Sequence, residues 1–471
     1  MHGKRIPKNE LLDRLPDEWP QDLRPAIKKQ VTTGGRKLVV LDDDPTGTQT
    51  IHGLPVLTEW SVPTLRAELD TDLPAFYILT NSRSFTLSVA RKINAEIGHN
   101  LLEAAQQAGR EFAVVSRSDS TLRGHFPGEI EALADALAQS YDGWIINPFF
   151  LEGGRYTIND VHYVDEAGVL VPAGETEFAR DRAFGYSASN LRHWVEEKTA
   201  GKIAAGDVAS ISIEDLRRQG PESVASFLMT LCGGRACVVN AAGYRDLEVF
   251  VLGLLAAEAR GKKFLFRTAA SFVQVRSGLS PRPLLTYSDL ELTPAGGGLI
   301  VVGSYVPRST DQVDSLLTLT DILHTQINVE GLLNDQLRED EIRRVVKEVD
   351  QALHNGNDIV IFTSRDLLTG KDARTSLEIG QKISQGLVSI VKRIKTAPRY
   401  ILAKGGITSS DIATRALNIK KALVLGQILP GVPIWQLGAE SRFPNLAYIV
   451  FPGNVGGADA LVDVVRQLKA D

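Results

Sequence analysis

Short apolar runs recur along the whole chain, each stopping at a polar or glycine-bearing loop and most followed by a helical stretch. This recurrence constrains the fold more than any other feature. The runs lie at 38–41, 76–80, 112–115, 144–146, 237–239 and 263–266 in the first part, and at 299–302, 359–362, 400–403 and 448–451 in the second. Their Val, Ile, Leu and aromatic content and their length match strands buried on both faces. The stretch 87–108, closed by Gly109, has the length and terminator of a helix. Further helices are expected at about 127–139, at 191–198, from 309 or 310, from 411 to 417 and at the end of the chain. Strands alternating with helices build parallel sheets covered on both faces. The expectation is therefore an α/β protein of two domains, each with a mainly parallel sheet flanked by helices. Ligands of such sheets collect at the carboxyl ends of the strands, and an active site in the interdomain cleft is expected.

Pro281, Pro283, Pro294 and the glycines at 296–298 mark residues 279–298 as a linker. The expected organisation is an N-terminal extension over 1–35, a first domain over 36–285 and a second over 296–471, with 161–210 the least regular part. A net charge of −5 offers no basic excess for nucleic acid. Cys232 and Cys237 are too few for a disulfide framework or a zinc site, which suits a reducing compartment. The charged, proline-broken N-terminal stretch lacks the apolar core of a signal peptide. No run approaches a transmembrane helix in length, so a cytoplasmic protein is expected.

The loop after the first run carries the chemistry. Residues 42–44 are three consecutive aspartates, followed by Pro45 and Gly47. Like charges at the end of a buried strand repel, so a cation or hydroxyl donors must offset them, on a strand end expected to be exposed. Arg83, Arg117 and Arg123 sit on loops that should lie beside Asp43 and Asp44, and guanidinium forks grip carboxylates at two points. Together these groups suit a small, hydroxylated, anionic substrate. His125 is a candidate base, although a lone histidine is more often structural. Asn147-Pro148 and the turn Gly153-Gly154-Arg155 read as pocket wall or as ordinary loop chemistry. In the second half, Gly405-Gly406 before Thr408-Ser409, and Gly453-Asn454 before Gly456-Gly457, put glycines where a strand gives way to a helix. There the backbone can approach a ligand closely, and the first N–H groups attract anions. An ordinary helix cap is the alternative. Neither a Walker A motif nor G-x-G-x-x-G is present.

From about residue 37 onward, these motifs resemble the four-carbon acid sugar kinases. The family's Asp-Asp-x-Thr-Gly is matched at 43–47, its Ser-Arg at Ser82-Arg83 and its Asp-Ser-Thr-Leu-Arg-Gly at 119–124. Its Gly-Gly-x-Thr-Ser is matched at 405–409 and its Gly-Asn at Gly453-Asn454. The resemblance implies an acid-sugar-binding first domain, a nucleotide-binding second domain, and ATP-dependent phosphorylation of a hydroxyl on a small acid such as threonate or erythronate. Asp43 and Asp44 are the expected catalytic pair, orienting or deprotonating the hydroxyl or holding Mg²⁺. Arg83, Arg117, Ser118, Asp119 and Ser120 are expected at the substrate. Ser304, Gly405, Gly406, Ile407, Thr408, Ser409, Gly453 and Asn454 are expected at the nucleotide. The partners are then a sugar acid and ATP with Mg²⁺; specific metal ligands and a homodimer are left open. Phe451 stands where the family often has Lys, and Lys404 beside Gly405 is expected to supply that charge at the phosphates. The alternatives are a Mg²⁺-dependent sugar-acid aldolase or dehydratase, which leaves the glycine loops unexplained, and a non-catalytic sugar-acid-binding protein.

Overall fold

The computed structural model describes residues 4–292, 296–304, 307–364, 373–453 and 455–469, with the backbone alone for 373–378. The chain divides into two units, Met1–Pro281 and Arg282–Asp471. In chain order the first unit contains strands β1 (Ile6–Pro7), β2 (Lys37–Asp42), β3 (Pro55–Leu57), β4 (Ala75–Leu79), β5 (Phe112–Arg117) and β6 (Gly143–Asn147). It continues with β7 (Arg155–Ile158), β8 (Val161–Glu166), β9 (Val169–Pro172), β10 (Ala209–Ile211), β11 (Arg235–Val239) and β12 (Phe264–Thr268). Among the described residues, eight of these form one wholly parallel sheet in the order β10-β11-β6-β12-β5-β2-β4-β3.

β2 is central because Leu38 to Leu41 are buried on both faces. One face packs on the helix Leu87–Ala108, whose Ile97, Leu101 and Ala104 join Val39, Leu41 and Phe76 in a core shared with Leu133 and Leu137 of the helix Gly128–Leu137. The register then aligns the strand ends. Asp42 lies opposite Leu79 and Arg117, Arg117 opposite Thr268, and Thr268 opposite Asn147. From β2 the chain goes to one side for β3 and β4, then to the other for β5. That reversal of strand order opens a crevice beside the carboxyl end of β2.

The stretch 161–210 is more ordered than its sequence suggests. β1, β9, β8 and β7 form a second, antiparallel sheet. Its hairpins turn on residue pairs in the left-handed region, Asn159 and Asp160 (φ 52 and 63) and Ala167 and Gly168 (φ 52 and 87). These are the two-residue turns that suit the twist of paired strands. The N-terminal residues are tied to this unit by β1 and by Arg24, 2.8 Å from Glu248.

The second unit contains β13 (Leu299–Val302), β14 (Leu323–Ile327), β15 (Ile359–Thr363), β16 (Tyr400–Lys404), β17 (Lys421–Leu429), β18 (Val432–Leu437) and β19 (Ala447–Phe451). Their order is β17-β18-β19-β16-β13-β15-β14, parallel from β19 to β14 and antiparallel at β17-β18-β19. Both units are thus α/β with mainly parallel sheets flanked by helices. No helix among the described residues is long and apolar enough to cross a membrane.

The helix pair under β2 has no slack at Gly98, where an added Cβ would stand 2.7 Å from the Ala136 Cβ. Gly98→Leu should lower the free energy of unfolding by about 1–3 kcal/mol, read by urea denaturation. An unchanged midpoint would show that the two helices can separate freely.

Candidate active site

Asp42 ends β2, and Asp43 and Asp44 lead into the tight turn Pro45–Thr48. The expected exposed strand end is not found: Asp42 is 1% and Asp43 3% exposed. The loops after β4 and β5 close over them, and their arginines provide the offsetting charge. Arg117, the last residue of β5, donates Nη1 to Asp42 Oδ1 at 3.2 Å and lies 3.8 Å from Asp43 Oδ1. Arg83, in the turn Ser82–Ser84 after β4, is ion-paired with Asp44 and, at 3.2 Å, with Asp119. Asp119 also accepts Arg123 Nε at 2.8 Å and the Thr121 hydroxyl. Asp44 accepts the backbone N–H and hydroxyl of Thr46, which starts the turn. Gly47 is required because a Cβ there would come within 2.0 Å of an Asp42 carboxylate oxygen.

The four carboxylates are not equivalent. Burial raises Asp42 to about 7, with repulsion from Asp43 and Asp44 adding to it and Arg117 opposing. Burial raises Asp43 to about 6 against the pull of Arg83 and Arg117. Asp44 and Asp119 are partly buried, and desolvation pushes them up as well, but their arginines and hydroxyl donors outweigh it and hold both below the usual range. Asp43 is the open member of the set. Both its side-chain oxygens are buried without a hydrogen-bond partner, whereas Asp44 is committed to Arg83 and Thr46. Such orphaned acceptors are uncommon and mark where a ligand donor or an ion belongs.

The loop Ser118–Ser120 is held from below. Ser118 N donates to Thr268 O at 2.9 Å, and the buried His162 of β8 bonds the Ser120 carbonyl through Nε2 at 2.7 Å. Burial lowers His162 to about 4, so it is neutral there. The Ser120 hydroxyl has no partner among the described residues. Asn81 (φ 50) and Leu122 (φ 69) take left-handed backbone conformations just before Arg83 and Arg123; such backbone outliers concentrate at functional sites. His125 bonds the Phe85 carbonyl at 2.9 Å and packs edge-on to Phe184, a structural arrangement. Sequence reasoning passed over Arg267, the penultimate residue of β12. It donates to the Arg123 carbonyl at 2.9 Å and stacks over Trp194 and Phe126. The signal was the one that marked Asp42 and Arg117, a charged residue closing an apolar run.

In the second unit the carboxyl ends of β13, β16 and β19 bring Ser304, Gly405–Ser409 and Gly453 together; Asn454 lies outside the described residues. Gly405 (φ 110) makes a turn only glycine favours, and its N–H donates to Phe451 O at 2.8 Å. The helix Gly406–Asp411 then starts, leaving the N–H groups of Gly406, Ile407 and Thr408 without an intrahelical acceptor. Ile407 is 62% exposed at that turn. The Ser409 hydroxyl is used internally, on Ala403 O at 2.8 Å. Lys404 is fully buried, over the Phe451 ring and bonded to Pro452 O at 3.0 Å. It braces the loop leading to Gly453, so the charge expected at the phosphates lies beneath the turn, not on its surface. Ser309, 3.2 Å from Gly453 O, braces the same loop. A cavity of about 500 Å³ lies at the opposite, amino-terminal edge of the first unit's sheet, lined in part by Lys28, Arg36 and Lys37. The Lys37 ammonium is already taken up by Thr71 and Leu73, and this cavity is remote from the aspartates in the sheet.

Residues 38–276 match the family description "sugar-binding N-terminal domain", and residues 299–461 match "nucleotide-binding C-terminal domain". The chain is 24% identical over 455 residues to a D-erythronate kinase of Heliobacterium modesticaldum, covering 92% of this chain and 97% of the relative. Among solved structures it is similar to a Salmonella typhimurium LT2 protein bearing a provisional tRNA synthase name, with a TM-score of 0.68 at 18% identity over 92% of this chain and 100% of that one. A Haemophilus influenzae protein gives 0.60 at 19% identity, again over 92% and 100%. At such identities the structural likeness shows the shared two-domain fold alone.

The raised Asp43 makes a prediction for stability. Its folded value of about 6 lies above the ordinary 3.8, so between these values the folded state binds more protons than the unfolded one. Stability is therefore lost as pH rises through that window. Asp43→Asn should be more stable than wild type at pH 7.5, by at most about 3 kcal/mol, with the gain shrinking at pH 4.5. Thermal melts at the two pH values check this; a pH-independent difference would mean that Asp43 titrates normally.

Proposed function

The chain belongs to the four-carbon acid sugar kinase family, and on that premise we propose that it transfers the γ-phosphoryl group of ATP to a hydroxyl of a small sugar acid such as erythronate or threonate. The observation that carries the reading is the Asp43 carboxylate, buried and without a hydrogen-bond partner, in the domain matched as sugar-binding. A hydroxyl is the donor such a carboxylate lacks. A base whose pKa is raised to about 6 is ionised at neutral pH yet holds a proton better than an ordinary aspartate, which suits transfer from an alcohol.

Phosphoryl transfer passes through a loose transition state, so catalysis is mostly positioning and charge neutralisation. Asp43 would orient the acceptor hydroxyl and take its proton. Asp44 and Asp119 hold Arg83 rigid, and Arg117 keeps Asp42 and Asp43 from driving each other apart. The Gly405–Ser409 turn and the Gly453 loop would receive the nucleotide phosphates on backbone N–H groups. The nucleotide of a kinase arrives with Mg²⁺. Among the described residues no group of three or more His, Cys, Asp or Glu could hold a metal. Mg²⁺ bound to phosphates and waters needs only one or two carboxylates, and Asp43 fits as one, with its second oxygen left for the hydroxyl. Bound there, the ion would neutralise charge on the transferring group. Two cysteines without a disulfide support a reducing, cytoplasmic setting.

ADP release, screened over four-carbon acids, tests the reading; no ADP with any of them would sink it. In Asp43→Asn, kcat should fall by about 10²-fold or more. For the wild type kcat/KM should rise with pH and level off above about 6, because only the ionised carboxylate accepts the proton. Wild-type turnover in the variant would remove Asp43 from the chemistry.

Gly406→Asp would put a carboxylate at the exposed helix start. An acid there is compatible with the helix, but it repels phosphate. ATP binding should weaken at least tenfold, about 1.4 kcal/mol, while sugar-acid binding without nucleotide stays unchanged. Calorimetry with each ligand separately decides; undiminished ATP binding would move the nucleotide elsewhere.

A further inference from the structure

The arginines at the carboxyl edge of the first unit's sheet are nearly all committed. Arg83 pairs with Asp44 and Asp119, Arg117 with Asp42 and Asp43, and Arg123 with Asp119 and Asp181. Arg267 donates to a carbonyl. Arg155 is different. It is the first residue of β7, reached from the carboxyl end of β6 through the turn at Gly153 and Gly154. Among the described residues its guanidinium has neither a hydrogen-bond acceptor nor an ion-pair partner, and its Nε is fully buried. Three other arginines, Arg117, Arg276 and Arg399, also have a buried Nε without a partner, but each pairs with a carboxylate: Asp42, Glu258 and Asp358.

Arg155 is half-buried, with its Nε shut off from water; an arginine cannot relieve this by losing its proton, so a partly desolvated guanidinium without a partner is unfavourable. Partial relief comes from Phe178, whose ring lies 5.7 Å from Arg155 Cζ and 5.1 Å from Arg123 Cζ. Phe178 is shared with Arg123, and Arg155 also feels the charges of Asp119 and Arg123, which sets it near the Asp119–Arg83–Asp44 chain of ion pairs. Neighbouring positions leave it room and leave it unpaired. Its Nη1 lies 3.1 Å from where a Cβ would stand at residue 153, which is glycine. His162, which follows one residue after the β7–β8 partner of Ile158, is neutral and engaged with Thr157 and Ser120. Arg155 is thus the arginine of this network with neither a hydrogen-bond acceptor nor an ion pair, drawn only at longer range towards Asp119 and Asp165, while Asp43 is the aspartate with no donor on either oxygen.

We propose that Arg155 receives the carboxylate of the sugar acid in a two-point ion pair, an inference that rests on the sugar-acid reading given above. The substrate then presents opposite chemistries at its two ends, an anion to Arg155 and a hydroxyl to Asp43. Arg83 and Arg117, whose forks are already filled by aspartates, become positioning residues for the acidic loop. Substrate choice follows: a four-carbon acid is selected over the polyol of the same length because only the acid neutralises Arg155.

The test uses the full chain and Arg155→Met, which keeps an apolar stem against Phe178. Calorimetry without nucleotide measures binding of D-erythronate and D-threonate, and ADP release measures turnover of these acids and of erythritol. The expected result is a Kd and KM for the acid raised at least tenfold, a smaller change in kcat, an unchanged rate with erythritol, and partial recovery in Arg155→Lys. The methionine variant should melt close to the wild type, since the half-buried guanidinium has no hydrogen bond or ion pair to lose. Acid binding equal to wild type, equal losses for acid and polyol, or a markedly lower melting temperature would each overturn the assignment. Wild-type protein that binds neither acid would also overturn it. Arg155-dependent acid binding without any ADP formation would leave this inference standing and remove the kinase reading instead.

Discussion

Burying carboxylates at the end of a central strand is the constraint on which the first unit depends. Asp42 and Asp43 are almost wholly removed from water, and in that setting uncompensated charge costs several kcal/mol per group. No residue on their own strand can offset this. The compensation comes from Arg117 on the neighbouring strand and Arg83 on the loop after the other neighbour. Only a parallel sheet in this strand order sets those three carboxyl ends side by side. The acidic loop, the two arginine loops and the topology are therefore one solution, and altering any of them exposes the charge problem in the others.

The compensation is incomplete in a directed way. Asp44 and Asp119 are over-supplied with donors and sit low in pKa, while Asp42 and Asp43 are under-supplied and sit high. An evenly balanced ion-pair cluster would be a structural staple. Here the deficit is concentrated on Asp43, whose oxygens have no donor, and the surplus on Arg155, whose guanidinium has no acceptor. That separation of unmet positive and negative demand is what a small molecule with an acid at one end and a hydroxyl elsewhere would satisfy. The second unit prepares for an anion by different means, with backbone N–H groups at the Gly405 turn and a loop braced by Lys404 and Ser309.

The architecture was legible because buried parallel strands must be apolar along their whole length, and the runs at 38–41, 299–302 and 400–403 stand out for that reason. The hairpins of β7 to β9 were not, since their strands mix polar and apolar residues and their turns rest on Asn159-Asp160 and Ala167-Gly168, which are weaker marks than Asn-Gly. Likewise β17 carries alternating exposure, and β18 is interrupted by Pro433 and Gln436, so neither has the continuous apolar character of a central strand.

What the sequence by itself determined is which residues carry charge and where each strand stops: the aspartates at 42–44, the arginines at 83, 117 and 123, and the glycines at 405 and 406. It could also place them on loops at one edge of a sheet, because strand ends are local. It could not decide which charges neutralise one another, since pairing joins residues 75 positions apart, as for Arg117 and Asp42. Nor could it tell an exposed aspartate from a buried one, or Lys404 at a turn from Lys404 beneath it. Burial and counter-charge belong to neighbours across the sheet. Tertiary structure alone therefore decided that Asp43 and Arg155 are the two groups left open.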